Sequence, residues 1–213
     1  MTFRDPINGL THCIGIFFAI IGTVFLIFTV SSPPKFWHIL SFAIFGIGMV
    51  LLYTASTLYH WLPLQERGIK VLRRIDHSMI FIYIAATYTP VCIIALPNVW
   101  GWSILGSIWA FALSGIFIKI FWLQAPRWLS TAIYLVMGWA ALIVIYPLYL
   151  AISAPALTYL IGGGVLYSIG AVLYAIKKPN FYKYFSFHEI FHLFVMAGSL
   201  CHYILMYKYI SVL

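Results

Sequence analysis

Charged side chains are scarce in this sequence, and acidic ones are almost absent. Only 8% of the 213 residues are charged and only four are Asp or Glu, whereas 64% are hydrophobic. Because a soluble domain carries about 25% charged residues, this chain lacks the polar groups that a water-facing surface needs. The composition therefore excludes a water-soluble globular protein and predicts an integral membrane protein.

Cysteine is also rare, and a basic surface is missing despite a net charge of +8. The three cysteines, Cys13, Cys92 and Cys201, each lie inside an apolar run. Their odd number and scattered positions favour a packing role over a disulfide framework or a metal cluster. The basic residues separate apolar runs and form no basic face, so membrane topology explains the charge better than nucleic-acid binding.

Seven apolar runs account for nearly the whole length. Each is close to the roughly 20 residues that a helix needs to cross a bilayer, and none alternates as a barrel strand does. The first run is longer than the apolar part of a signal peptide. No linker is long enough to divide domains, so we predict an all-α integral membrane protein with a single seven-transmembrane helix bundle over residues 1–213. The predicted spans are 10–30, 37–61, 76–96, 99–121, 128–150, 155–176 and 187–210, with a break around Gln124 before the fifth.

Lysine and arginine indicate the orientation of these spans. Loops on the cytoplasmic side of a membrane are enriched in both residues. Ten of the twelve fall on the side of the N-terminus, which predicts a multi-pass protein of the cell membrane with a cytoplasmic N-terminus and an extracellular C-terminus. The ten are Arg4, Arg67, Lys70, Arg73, Arg74, Lys119, Arg127, Lys177, Lys178 and Lys183, and the other two are Lys35 and Lys208.

Ionisable residues within or beside the spans are the informative ones in so apolar a chain. On the predicted topology, five of the seven histidines and three of the four acids fall in one layer on the cytoplasmic side. His38 and His202 lie elsewhere, and we interpret them as hydrogen-bonded residues near a membrane interface. The residues of the layer are Asp5, His12, His60, Asp76, His77, His188, Glu189 and His192.

The spacing within this layer predicts a metal site. His188 and His192 are four residues apart, so they share one face of a helix. His60, from another span, completes a set of three imidazoles. Three protein ligands with a fourth position open to water are typical of catalytic zinc, whereas structural zinc usually has four protein ligands. We therefore predict Zn²⁺ as the cofactor.

Two carboxylates compete for the role of general base beside this zinc site. Asp76 lies in the same layer and would accept a proton from the zinc water. Glu189 is the alternative, because residues 188–192 match the H-E-x-x-H pattern of zinc proteases. Ser56 precedes His60 by one helical turn, where its hydroxyl would orient that imidazole or polarise a substrate carbonyl.

With these residues in place, the chain resembles the hemolysin III family, the bacterial branch of the progestin and adipoQ receptor family. The resemblance covers nearly the whole length. It rests on Asp5-Pro6-Ile7-Asn8 with Thr11-His12, on Ser56 and His60, on Asp76-His77-Ser78, on Thr87-Tyr88-Thr89-Pro90, and on His188 and His192 followed by Ala197-Gly198-Ser199.

The resemblance implies a seven-helix bundle with a cytoplasmic N-terminus. In the related adiponectin receptors, one histidine of span 2 and two of span 7 hold a zinc ion, and an aspartate of span 3 lies near the zinc water. Matched by motif, these residues are His60, His188, His192 and Asp76, which favours Asp76 over Glu189 as the base. Eukaryotic relatives are associated with hydrolysis of the ceramide amide, and the wider set includes alkaline ceramidases.

The leading hypothesis is a zinc-dependent, ceramidase-like hydrolase that acts on a lipid amide or ester. Its partners are then membrane lipids, with the acyl chain of the substrate inside the bundle. One alternative is a pore-forming cytolysin, although a secreted pore former must stay soluble before it inserts, and seven apolar spans do not allow that. The other is a receptor or sensor that uses zinc structurally.

Overall fold

The computed structural model describes residues 3–122, 126–182 and 185–213, so Gln124 and Lys183 lie outside the described residues. The helices are α1 (Pro6–Thr29), α2 (Phe36–Trp61), α3 (Glu66–Pro90), α4 (Val99–Phe121), α5 (Arg127–Trp139), α6 (Ile145–Ala151), α7 (Ala154–Ile176) and α8 (Phe187–Leu205). Short π-helical turns extend α3 over Val91–Ala95 and α8 over Met206–Ile210, and a 3-10 turn at Ala140–Val144 joins α5 to α6. A hairpin of β1 (Asn180–Tyr182) and β2 (Phe185–Ser186) precedes α8.

Seven helical segments among the described residues are long and apolar enough to cross a membrane, with α5 and α6 together forming the fifth. The predicted seven-helix membrane architecture is therefore confirmed. Large apolar side chains such as Phe17, Phe28 and Phe111 are exposed on the outside of the bundle. Exposure of this kind is expected where lipid replaces water as the solvent.

The third span is longer than the sequence predicted. We expected it to begin at residue 76, but α3 begins at Glu66. The intervening charged residues are good helix formers, and the Lys70 ammonium lies 2.6 Å from the Glu66 carboxylate one turn earlier. A helix is able to extend past the apolar core of a bilayer, so a polar stretch need not end it. As a result, Asp76 lies about 15 Å from the start of α3, at 1.5 Å per residue.

The order of packing brings the two ends of the sequence together. Helix α2 packs between α1 and α3, and α7 packs along α8. Helix α1 also contacts α8. Consequently the starts of α1, α3 and α8 and the end of α2 lie at one end of the molecule, called here the N-terminal end of the bundle.

The fifth span is interrupted, and Tyr88 of α3 supports the interruption. The Tyr88 hydroxyl donates to the carbonyl of Gly138 at 2.6 Å and accepts from the amide of Ala141 at 2.8 Å. Backbone groups released by a broken helix have no water to bind within a bilayer, so protein groups must satisfy them. Tyr88 thus stabilises the junction between α5 and α6.

Gly46 allows α1 and α2 to approach closely, and its replacement is expected to destabilise the bundle. A β-carbon at this position would overlap the side chain of Thr23 on α1, whereas one at Gly106 of α4 meets nothing within 4 Å. We expect Gly46→Ala to cost about 1–3 kcal/mol, the usual range for overpacking. Thermal unfolding in detergent measures this cost, with Gly106→Ala as the matched control. Equal melting temperatures for the two variants would contradict the close approach.

Candidate metal centre

Three imidazoles meet at the N-terminal end of the bundle. His60 comes from the last turn of α2, and His188 and His192 come from the first two turns of α8. One nitrogen of each ring lies within 4.8 Å of the other two nitrogens. The ring centroids are 4.9, 5.0 and 5.2 Å apart. The structure therefore brings the three predicted ligands together in a group able to hold a metal ion.

Asp5 fixes the ring of His60. The His60 Nδ1 atom lies 3.1 Å from the Asp5 carboxylate. A carboxylate only accepts hydrogen bonds, so Nδ1 carries the proton and donates, and the lone pair is on Nε2. Nε2 is buried and has no hydrogen-bond partner among the described residues. An unpartnered buried acceptor beside two further imidazoles is what a metal ligand requires.

His192 is oriented in the same way by the start of α1. Its Nδ1 atom lies 3.2 Å from the backbone carbonyl of Asn8, which only accepts, and 3.2 Å from the hydroxyl of Thr11. The proton is therefore on Nδ1, and Nε2 is left to bind a metal. Metal-bound histidines almost always donate their other ring N–H to a carboxylate or a carbonyl. Because both histidines follow this pattern, the residues present fit a zinc ion.

Replacement of Asp5 by alanine is expected to weaken zinc binding about 10- to 100-fold, the usual effect of losing such an orienting partner. The hydrogen bond from His60 and the nearby Arg4 guanidinium lower the pKa of the Asp5 carboxyl, so it is ionised when the site forms. Competition with a chelator of known zinc affinity measures the change. The control is Glu66→Ala, which removes an exposed acid at the same end of the bundle. An unchanged zinc affinity in Asp5→Ala would contradict the orienting role.

Glu189 is engaged in helix capping. One carboxylate oxygen accepts hydrogen bonds of 2.7 Å from the backbone amide and the hydroxyl of Ser186, which completes a capping box at the start of α8. The other oxygen accepts a hydrogen bond of 2.8 Å from the Asn8 side chain. These three bonds satisfy the carboxylate and tie the first turn of α8 to α1. The H-E-x-x-H match at residues 188–192 thus has a local structural explanation.

Asp76 lines a cavity together with two of the three histidines, His188 and His192. The cavity encloses about 200 Å³, and its wall includes Asp76, Ser56, His188 and His192. The Ser56 side chain interacts with the Asp76 carboxylate, and His60 is close enough to attract that carboxylate. The sequence predicted that Ser56 would orient His60 or polarise a substrate carbonyl. The Ser56 side chain instead hydrogen-bonds with Asp76, and the Nδ1 atom of His60 is bound by Asp5.

A fourth histidine, His12 of α1, belongs to the same site. Its ring stacks on that of His192, with centroids 3.7 Å apart and planes inclined by 6°. It also lines the cavity. Neither ring nitrogen has a hydrogen-bond partner among the described residues, and both are buried. His12 therefore lies in the wall of the site, next to the predicted ligand His192.

The remaining histidines lie apart from the metal group. The His202 Nε2 atom donates to the backbone carbonyl of Leu160 at 3.2 Å, so the hydrogen bond predicted for this residue is present. His38 lies in the first turn of α2, at the other end of that helix from His60. His77 lines the cavity beside Asp76, although it is outside the ligand group.

Comparison with known proteins agrees with this architecture. Residues 2–203 match the family model described as Haemolysin-III related. The protein belongs to the hemolysin III family. The Hemolysin-3 homolog of Bacillus subtilis (strain 168) is 41% identical over 199 residues, which are 93% of this chain and 91% of that protein. Hemolysin-3 of Bacillus cereus is 38% identical over 194 residues, 90% of this chain and 85% of that protein.

A more distant similarity reaches animal proteins. The human Monocyte to macrophage differentiation factor is 25% identical over 212 residues, which are 98% of this chain and 85% of that protein. The resemblance stated from the motifs is therefore confirmed across nearly the whole length. Seven spans and membership of the hemolysin III family together make this a multi-pass protein of the cell membrane.

The residues that support the ligands of this hemolysin III protein were not identified from the sequence. Asp5 orients His60, and Asn8 and Thr11 orient His192. Asn8 also binds Glu189. A signal was present, because Asp5, Asn8, Thr11 and His12 follow the three- and four-residue spacing of one helix face. A polar face on an otherwise apolar first span indicates a buried contact.

Proposed function

We propose that this protein is a zinc-dependent hydrolase of a lipid amide or ester. The observation that carries the proposal is the Nε2 atom of His60, which is buried and has no hydrogen-bond partner in the part of the chain that the structure describes. It lies next to His188 and His192, which line a cavity together with Asp76. Three imidazoles would hold a zinc ion and would leave one ligand position open. An open position is typical of catalytic rather than structural zinc.

The chemistry follows from the groups around that position. A bound zinc ion supplies Lewis acidity, which polarises a carbonyl and lowers the pKa of water to about 7. Asp76 accepts the proton that leaves the attacking water, and later passes a proton to the departing oxygen or nitrogen. Ser56 holds the Asp76 carboxylate in place through their contact. Glu189 takes no part, because its oxygens are bound to Ser186 and Asn8.

The shape of the cavity favours a substrate with a long apolar chain. Along α3 the cavity wall runs from Asp76 to Cys92, about 24 Å at 1.5 Å per residue. Most side chains between these residues that face the cavity are apolar or aromatic, including Ile80, Ile84 and Val91. An acyl chain there would place its carbonyl beside the histidines. We also propose that this end of the bundle faces the cytoplasm, on the distribution of lysine and arginine.

Release of fatty acid from membrane lipids tests the proposal. The full chain is purified without chelators, loaded with zinc, and incubated with a mixture of lipid esters and amides in detergent. Mass spectrometry is expected to detect free fatty acid that depends on both protein and zinc, and removal of zinc by a chelator should stop its release. Stoichiometric zinc with no lipid cleaved would instead favour a sensor that uses the ion structurally.

A further inference from the structure

A buried lysine lies in the wall of the same cavity. Lys119, in the last turn of α4, is 3% exposed and lines the cavity together with Arg73 and Asp76 of α3. Its ammonium donates a hydrogen bond to the hydroxyl of Ser130 on α5. That partner is neutral. Among the described residues, no carboxylate forms an ion pair with Lys119.

The few acids of the chain are committed elsewhere. Asp5 binds Arg4 and His60, and Glu66 binds Lys70. Glu189 is held by the capping box. Asp76 faces Ser56 and the histidines, and it also attracts Arg73. The positive charge of Lys119 is therefore repelled by that of Arg73, and no negative side chain among the described residues pairs with it.

Ordinary explanations for a lysine in a membrane helix do not account for this position. Lysines near span ends usually extend their ammonium group to the interface, and Lys177 and Lys178, just after α7, are exposed as this requires. Lys119 stays inside the bundle. The carbonyls at the end of α4 attract it through the helix dipole, but that attraction is smaller than the cost of burying an uncompensated charge.

We propose that Lys119 and Arg73 bind the anionic headgroup of a phospholipid whose acyl chain occupies the cavity. Arg73 and Asp76 are three residues apart and share a face of α3, so an anion on these cations lies next to the reaction site. The neutral chain of the lipid then extends along the apolar part of the wall. This anion site makes an anionic acyl lipid the substrate class, an assignment that rests on the proposed hydrolysis.

The reaction on such a lipid is balanced by water alone. The water oxygen bonds to the acyl carbon, and the bond from that carbon to the glycerol oxygen breaks. The products are a fatty acid carboxylate, one released proton and a lysolipid whose hydroxyl has gained a proton. The headgroup stays on the lysolipid and keeps its contact with Lys119.

Lipid binding is measured separately from turnover, on zinc-loaded protein carrying Asp76→Asn. The probes are phosphatidylglycerol and phosphatidylcholine with the same short acyl chains, a long-chain fatty acid, and inorganic phosphate. We expect phosphatidylglycerol to bind about tenfold more tightly than phosphatidylcholine. Both lipids offer a phosphate, but only phosphatidylcholine also carries a trimethylammonium group, which Lys119 and Arg73 repel. Addition of Lys119→Met should remove this preference, and addition of Arg73→Gln should reduce it.

Two further variants make the result specific. Lys119→Arg keeps the charge and should keep the preference, and Lys70→Met removes an exposed lysine at the same end and should change nothing. Lys119→Met should retain its zinc and unfold at the same or a higher temperature than the parent when no anionic lipid is present. Loss of zinc or a lower unfolding temperature would assign Lys119 a structural role and overturn the proposal.

Other outcomes also decide the question. Equal affinity for the two phospholipids, or a preference that survives Lys119→Met, overturns the proposal. Binding of the fatty acid without a phospholipid preference overturns it too, because the cations would then hold only a free carboxylate. Inorganic phosphate binding as tightly as the lipid would also overturn the proposal, because the acyl chain would then contribute nothing to binding. A preference for phosphatidylglycerol with no hydrolysis by the parent supports the anion site while rejecting the hydrolase.

Discussion

Removal of both imidazoles from α8, by His188→Ala with His192→Ala, is expected to abolish zinc binding. The parent should contain close to one zinc ion per chain, and the double variant should contain none. The reason is that only one of the three ligand imidazoles, His60, remains, and His12 is not part of the ligand group. Elemental analysis of protein purified without chelators makes the measurement.

The matched control removes two histidines outside the metal group. His202 lies on the same helix as the two ligands, and His38 lies on the same helix as His60. A variant with His38→Ala and His202→Ala should keep its zinc, because neither ring lies in the ligand group. Zinc retained by the α8 double variant would contradict the assignment of ligands. A parent purified without any stoichiometric metal would reject the hydrolase as a whole.

Replacement of Asp76 by asparagine is expected to reduce the rate of lipid hydrolysis by about 10²- to 10⁴-fold, the usual contribution of a general base. An amide has almost the shape of a carboxylate but does not accept the proton of the attacking water. Zinc content should stay near one per chain, because Asp76 lies outside the ligand group. The measurement pairs initial rates of fatty acid release with elemental analysis of the same preparation.

Glu189→Gln is the control that separates the two candidate bases. A glutamine at this position is still able to accept the hydrogen bonds of the capping box, so we expect hydrolysis within a few-fold of the parent. The opposite result, with activity lost in Glu189→Gln and retained in Asp76→Asn, would make Glu189 the base. Loss of zinc in Asp76→Asn would make Asp76 a ligand instead.

The fold was largely predictable because the membrane imposes simple rules on sequence. Runs of about 20 apolar residues gave the number of spans and most of their bounds. The predicted start of α3 was wrong, because a charged stretch of good helix formers cannot be distinguished from a loop when the membrane boundary is unknown. The break between α5 and α6 could not be predicted either, since the group that supports it, the Tyr88 hydroxyl, is distant in sequence from that break.

The candidate site was predictable where residue type and helical spacing suffice. His188 and His192 share a face by spacing alone, and His60 followed from its place in the same layer. The contact of His60 with Asp5 depends on how α1 packs against α2, which no spacing reveals. Likewise, the engagement of Glu189 by Ser186 and Asn8 depends on the local turn before α8, so the choice between two carboxylates had to wait for the geometry.

The tie between α1 and α8 has a consequence for the order in which the site forms during synthesis. Asn8 and Glu189, which are hydrogen-bonded, lie 181 residues apart in the chain. The ribosome therefore releases the start of α1 long before His188 and His192 have been synthesised. During that interval His60 is present without the two imidazoles that complete the ligand group. Chains grow from the N-terminus at about 5–20 residues per second, so the interval lasts for most of translation. At the proposed zinc site, metal capture would then be the final event of assembly, and a bound ion would mark a chain whose last span has docked.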